Sequence, residues 1–320
     1  MSISIIIPAY NGEAFIRSTI ESVVAQTIRN WELIIVDDGS QDNTAAMIAS
    51  CAKDDSRIRT VTQENQGVAA ARNRGFMESN PGCEYVAFLD QDDVWEPDAL
   101  ETLSSAMRSE PNAAAAHGLC RLIDSAGKTI SAFTPPVRKC FTLSGFRSCQ
   151  PDEPTIFGVF LNGNMIYTPG QALIRRNALS ANPFDPSIVP ADDWDLWLRL
   201  SAQRPLTFVE RAVIGWRQHE SNQSKSRLKM AKARRKVYEK LNSSNITDSQ
   251  RELLLWYLRS ASLHRTYRRN LRRSAWYASR CQAGRALRLF FRAALVFFDL
   301  RREQRNTATR QRLPFAESSE

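Results

Sequence analysis

Glu84-Tyr85-Val86-Ala87-Phe88-Leu89-Asp90-Gln91-Asp92-Asp93-Val94-Trp95-Glu96-Pro97-Asp98 is the run on which the reading of the chain turns. Tyr85 to Leu89 is a short apolar block of the kind that forms a buried strand, and it runs straight into Asp90, Asp92 and Asp93. Pro97 then stands where a helix would begin. Carboxylates at the carboxyl end of a strand lie where open α/β sheets bind ligands. Packed together, they repel one another unless a cation or a set of donors neutralises them. Oxygen-only ligation suits a hard divalent ion, Mg2+ or Mn2+, with positions left open for substrate phosphates. An acidic turn that merely caps the next helix fits the spacing equally well. Two other acidic motifs fail. A DxDxT nucleophile loop needs Thr where Val94 stands, and an EF-hand needs a Gly and a distal Glu that do not follow.

The 320 residues leave room for one large α/β domain and a helical appendage. Six cysteines (51, 83, 120, 140, 149 and 281) are scattered without a CxxC pair, which fits a reducing compartment and argues against zinc. Met1 to Pro8 has no basic leader and no long apolar core, so it reads as a first strand and not as a signal peptide. The net charge of +9 is unevenly placed. Residues 225–320 carry 24 Lys+Arg against 7 Asp+Glu, whereas residues 1–224 carry 19 against 27. This sets a boundary near Ser224 and gives the basic tail an acidic partner, phospholipid or nucleic acid.

Upstream of the acidic run the chain alternates. Ser4–Pro8, Trp31–Val36 and Ile58–Val61 read as strands, with helical spacing over Glu13–Gln26 and a second helix starting near Asp42 or Asn43. Such alternation predicts a parallel, doubly wound sheet. The loops that leave its strands carry Tyr10-Asn11, Asp37-Asp38, Asn65 and the 90–93 cluster, and right-handed crossovers bring all of them to one edge. That convergence favours a nucleotide site, although there is no GxGxxG after the first strand and no P-loop.

Pro8-Ala9-Tyr10-Asn11, Val36-Asp37-Asp38-Gly39-Ser40, Asn65-Gln66-Gly67, Ala71-Arg72-Asn73 and Phe88-Leu89-Asp90-Gln91-Asp92-Asp93 occur in this order. Together they resemble the inverting, nucleotide-sugar-dependent glycosyltransferases of family 2, over roughly residues 3–224. The resemblance implies an α/β GT-A fold, a Rossmann-like mixed sheet flanked by helices, with a basic helical extension behind it. It implies donor binding by Pro8, Tyr10, Asn11, Asp38, Asn65, Arg72 and Asp90, with Tyr10 and Asp38 flanking the base and Asn65 and Arg72 near base and ribose. Asp92 would be the principal ligand of Mn2+ or Mg2+, and Asp90 would hold the ribose or the metal.

Downstream, Ala113–Asp124 reads as a strand turned by Ala126-Gly127-Lys128 into Thr129–Phe133, with His117 structural. Residues 134–158 fall where this family shapes the acceptor pocket, and Gly163–Arg176 resembles its strand beneath the acceptor. Trp194, Trp197, Leu198 and Leu200 fit an amphipathic helix opened by Asp192 and Asp193, acids that also suit a helix N-terminus. The family places its general base there, usually as Glu-Asp. This chain has Asp192-Asp193, and the base falls on Asp193, with Asp195 as the neighbour most easily mistaken for it. Trp216-Arg217-Gln218-His219 matches the family's Tyr-Arg-x-His with Trp for Tyr. Arg217 would pair with donor phosphate and His219 would complete the metal or diphosphate site.

Residues 1–224 are thus expected to form the transferase domain, 225–306 a basic helical extension, and 307–320 a disordered tail. Lys225–Leu241 and Asp248–Tyr277 read as basic helices with apolar stripes. Arg285–Arg302, interrupted by Arg288 and Arg292, is short for a membrane span and suits an interfacial helix on an anionic surface. A helix packed on the domain with its basic face in solvent is the alternative. No nucleic-acid motif accompanies the charge. The implied activity is metal-dependent transfer from a UDP-, GDP- or dTDP-sugar to a glycan or lipid-linked acceptor hydroxyl, in surface-polysaccharide synthesis at the cytoplasmic face of the membrane. A nucleotidyltransferase would need an N-terminal phosphate loop that is missing, and a non-catalytic binding module would be expected to lack Asp92 or Asp193. A processive synthase would carry a QxxRW motif, which is not found.

Overall fold

The computed structural model describes residues 2–131, 138–142, 145–150, 152–219, 227–244, 246–259, 287–289 and 291–296. The chain divides into two compact units. The first comprises Met1–Arg138 and Cys149–Asn245, the second Lys139–Ser148 and Ile246–Glu320.

In the first unit, β1 (Ile3–Ala9) is buried along its whole length and pairs in parallel with β2 (Trp31–Asp37) and β4 (Tyr85–Phe88). β3 (Ile58–Thr62) adds in parallel to β2 and buries little more than Ile58, as an edge strand with Arg59 on it can. Strands covered on both faces read as continuous apolar runs, which is why Ile5-Ile6-Ile7 and Leu33-Ile34-Ile35-Val36 lack alternation. α1 (Ile16–Val24) buries Ile16, Thr19, Ile20 and Val23 at helical spacing, and α2 (Thr44–Asp54) follows β2. α3 (Val68–Glu78) lies so close to the sheet that a Cβ on Gly75 would stand 2.4 Å from Ile6 Cγ2 and 3.1 Å from Val36 Cγ2.

Beyond β4 the sheet ceases to be purely parallel. β5 (Val94–Trp95), α4 (Ala99–Ser109), β6 (Ala115–Ile123) and β7 (Thr129–Ser131) come next in the chain. After α5 (Phe157–Asn162) comes β10 (Ala172–Arg175), antiparallel to both β4 and β6. β11 (Leu206–Arg217) runs parallel to β6 and antiparallel to β5. The strand order is β3-β2-β1-β4-β10-β6-β11-β5, with β7 on β6. The parallel sheet expected from the first four strands therefore extends only that far, and the whole is the mixed sheet that the family resemblance implied.

α6 (Asp192–Gln203) and α7 (Arg227–Ser243) complete this unit. α7 lies beyond the expected boundary at Ser224. Ala233, Val237 and Leu241, four residues apart, are buried, and the Tyr238 hydroxyl donates to the Leu161 carbonyl at 3.1 Å. Lys240 Nζ stands 2.9 Å from carboxylate oxygens of both Asp185 and Asp195. The basic composition begins at residue 225, but the first unit continues to Asn245.

In the second unit, β8 (Lys139–Thr142) and β9 (Gly145–Ser148) form an antiparallel pair. Phe141 packs edge-on against Trp256 and Tyr257, on the helix over residues 248–259, with centroids 6.0 and 5.1 Å away. Residues 287–289 and 291–296 are helical. Ala293 is buried, while Leu287, Phe291 and Leu295 are 58%, 59% and 64% exposed. Steps of four residues place these three on one face, with Ala293 on the opposite face. No helix among the described residues is long and apolar enough to cross a membrane. The expected helix over 260–277, the segment 220–226 after His219 and the tail 307–320 lie outside the described residues.

Candidate active site

The ends of β1 and β2 are in register, Ala9 beside Asp37, and the loops that follow are laced together. The Tyr10 backbone N–H donates to Gln91 Oε1 at 2.8 Å, and Gln91 Nε2 returns a bond to the Tyr10 carbonyl at 3.0 Å. A Cβ on Gly12 would stand 2.3 Å from Gln91 Oε1, so glycine is what lets that amide lie over the turn. Asn11 takes a left-handed φ of 47°, which asparagine tolerates better than most residues, and its Oδ1 accepts from Gln41 N at 2.9 Å. Asp38 is buried. Its carboxylate accepts from Gln63 Nε2 at 2.7 Å, Gln66 N at 2.9 Å and Gly67 N at 2.8 Å. It braces the 63–67 loop, on which Asn65 is exposed. Pro8 lies buried inside β1, and Tyr10 is 43% exposed at the edge.

The acidic run separates its carboxylates by partner. Asp90 Oδ1 meets Arg72 Nη2 at 2.5 Å, and Asp92 Oδ2 meets His219 Nε2 at 2.7 Å. The His219 ring packs on Phe15 with centroids 5.0 Å apart. Asp93 is fully buried, accepting from Thr168 Oγ1 at 2.6 Å and from Arg217 N at 2.9 Å. Burial, and then the neighbouring Asp92 and Asp90, push the Asp93 carboxyl well above the usual range. Asp92 is also raised, by burial and then Asp90, with His219 opposing. Thr19 Oγ1 donates into the loop, lying 2.7 Å from the Gln91 carbonyl and 2.8 Å from that of Asp93.

Arg217 holds the backbone of two loops. Its guanidinium is bound to backbone carbonyls, Nε to Asp92 at 2.7 Å and Nη1 to Ser125 at 2.9 Å, with Asp124 at 3.2 Å. It clamps the acidic loop. His117 is buried at 2.8 Å from Thr155 Oγ1, and burial followed by Arg138 lowers its pKa to about 3.

The three aspartates that open α6 point to three different partners. Asp192 Oδ2 meets Arg72 Nη1 at 2.7 Å. Asp195 Oδ2 stands 2.9 Å from both Arg199 Nε and Lys240 Nζ, which engages it with α6 and α7. Asp193 has only uncharged partners. Asn164 Nδ2 donates to its Oδ2 at 2.9 Å and Trp194 N to its Oδ1 at 2.6 Å. Burial, and then Asp192, raise Asp193 to about 7, with Arg72 and the two hydrogen bonds opposing. Asp90 and Asp192 outweigh the effect of burial on Arg72 and hold its guanidinium above its ordinary value. Asn73, next to Arg72, brackets Phe184 by donating to its carbonyl at 2.7 Å and accepting from its N–H at 2.9 Å.

Of the residues expected from sequence, Arg72, Asp90 and the start of α6 are thus brought together, as are Asp92 and His219. Among the described residues no three His, Cys, Asp or Glu side chains form a metal-ligand set, and Asp90 pairs with Arg72. Sequence reasoning missed Gln91, Asn164 and Thr168. Only Asn164 left a signal, an asparagine whose Oδ1 can accept from the N–H two residues on, as it does from Ile166 at 3.1 Å.

A family model described as "Glycosyl transferase family 2" matches residues 4–181. Chondroitin synthase of Escherichia coli is 30% identical over 237 residues, 72% of this chain and 31% of the relative. The UDP-Glc:alpha-D-GlcNAc-diphosphoundecaprenol beta-1,3-glucosyltransferase WfgD of E. coli is 29% identical over 213 residues, 66% of this chain and 74% of that protein. The chain spans about a third of the length of several curated relatives it matches. Among solved structures, the mannosyltransferase PcManGT from Pyrobaculum calidifontis in complex with GDP-Man and Mn2+ superposes with a TM-score of 0.60. That match has 18% identity and covers 96% of this chain and 84% of that one.

Proposed function

The chain belongs to glycosyl transferase family 2, and on that premise we propose that it transfers a sugar, with inversion, from a nucleoside-diphosphate donor to an acceptor hydroxyl. One observation carries the reading. Arg72 joins Asp90, at the end of β4, to Asp192, beside Asp193, so that the donor side and the base side of the site share one guanidinium.

Asp193 is the general base. Its pKa of about 7 suits a group that must be ionised at neutral pH yet hold a proton afterwards. A positioned base contributes typically about 10²–10⁴-fold in rate. Tyr10 and Asn65, exposed at the strand edge, receive the donor base, while Asp38 and Arg217 keep the loops around it in shape. Asp92 and His219 are a half-buried oxygen–nitrogen pair whose donor set fits Mn2+ or Mg2+, and phosphate oxygens would take the remaining positions. When bound, that ion would neutralise charge on the departing diphosphate. UDP-Glc is named for WfgD and GDP-Man for the structural neighbour PcManGT, which supports a UDP- or GDP-sugar as donor. A glycan or lipid-linked acceptor fits the same relatives, and surface-polysaccharide synthesis at the cytoplasmic face of the membrane is the setting proposed for it. The exposed stripe Leu287, Phe291 and Leu295, flanked by Arg288 and Arg292, suits an anionic bilayer surface.

A thermal-shift panel of UDP, GDP, dTDP and CDP, each with and without Mn2+, tests the donor site. A metal-dependent stabilisation by one nucleotide is expected, and no stabilisation by any of them would overturn it.

A further inference from the structure

Asn164 falls within the stretch that resembles the strand beneath the acceptor, but the resemblance gives it no role of its own. It lies just beyond α5, and its side-chain amide is fixed at both ends. Oδ1 accepts from Ile166 N at 3.1 Å, so the nitrogen end must face Asp193 Oδ2, where it donates at 2.9 Å. The other oxygen of Asp193 is held by Trp194 N at 2.6 Å. Each carboxylate oxygen therefore carries one fixed donor and keeps one lone pair for an incoming hydroxyl.

We propose that Asn164 is the positioning residue of the base: it orients the Asp193 carboxylate and favours its ionised form. The inference rests on Asp193 being the base. The charged groups acting on Asp193 are Asp192 on its own helix, which disfavours ionisation, and Arg72 on α3, which favours it. Arg72 directs Nη1 to Asp192 and Nη2 to Asp90, and acts on Asp193 through its charge. A neutral amide supplies the direct contact. It stabilises the anion by hydrogen bonding without adding a charge that would make the carboxylate too weak a base. An arginine or lysine at 164 would hold Asp193 ionised but lower its basicity, and a carboxylate there would have to share its proton.

The Trp194 backbone amide reports the charge of Asp193 directly. The full chain, labelled with 15N at its seven tryptophans, would be titrated by NMR. The Trp194 amide is expected to titrate with a midpoint near 7 and to stop doing so in Asp193→Asn. In Asn164→Ala the midpoint should rise by about one pH unit, a roughly tenfold loss of carboxylate on the acid side. In the isosteric Asn164→Asp, which keeps the fold should alanine not, it should rise further as two carboxyls share a proton. Nucleotide binding should be unchanged in both variants. Midpoints that stay put in every variant that folds would overturn the inference, even if Asp193→Asn abolishes transfer. Full transfer by Asp193→Asn would remove the base itself, and the role of Asn164 with it.

Discussion

Asp193 illustrates how one residue can trade stability for chemistry. Its folded pKa lies above the ordinary carboxylate value of 3.8, at about 7. Between those values the folded state binds more protons than the unfolded one, so the contribution of Asp193 to stability is lost as pH rises through that window. Asp193→Asn should therefore be the more stable protein at pH 8, by on the order of 1 kcal/mol in a denaturant titration. It should also be inactive while binding nucleotide normally; lost nucleotide affinity would place Asp193 on the donor side. In the native protein, transfer should fall about tenfold per pH unit well below pH 7, because the base is then protonated. Asp92→Ala should instead weaken nucleotide binding in Mn2+, and calorimetry showing unchanged affinity would exclude Asp92 as a ligand. At this scale the sequence was informative about residue types and poor about partners. Asp90, Asp92 and Asp193 could be singled out from motif order alone. That Arg217 clamps carbonyls and Asp38 braces a loop could not, since both bonds join residues far apart in the chain.

Elements carry these residues, and α3 carries several. Its close approach to the sheet requires Gly75, where a methyl would meet Ile6 and Val36. Gly75→Ala should cost about 1–3 kcal/mol by overpacking, measured by chemical denaturation. Because α3 also bears Arg72 and Asn73, nucleotide affinity should fall with it. An unchanged melting transition would mean that the helix can lift off the sheet freely. β1, β2 and β4 were legible as apolar runs ending in polar loops. The direction of β10 was not, because side-chain periodicity is the same whichever way a strand runs. α7 was hard to read for a different reason. Three buried apolar residues spaced four apart lie among six Lys and Arg from 229 to 240, so composition masked a docked helix as part of a basic extension.

At the scale of the molecule, the chain joins a net acidic portion, residues 1–224, to a strongly basic remainder. The exposed apolar stripe at 287, 291 and 295 makes a prediction for the intact protein. It should co-sediment with vesicles containing anionic phospholipid, more weakly as salt rises, and scarcely with neutral ones. Leu287→Ser with Leu295→Ser should reduce that binding while nucleotide binding is retained. Binding that survives the double change would assign the surface elsewhere. The Arg72 bridge has a consequence of another kind, for how such a chain can change over generations. Asp192 is buried and Asp90 partly so, and losing the guanidinium that joins them would leave both acids without their shared cation, at about 3–5 kcal/mol for the buried one. Drift should therefore pass through the acids first. Descendants that have lost Arg72 are expected to have already lost Asp90 or Asp192, so that the three positions are inherited as one character.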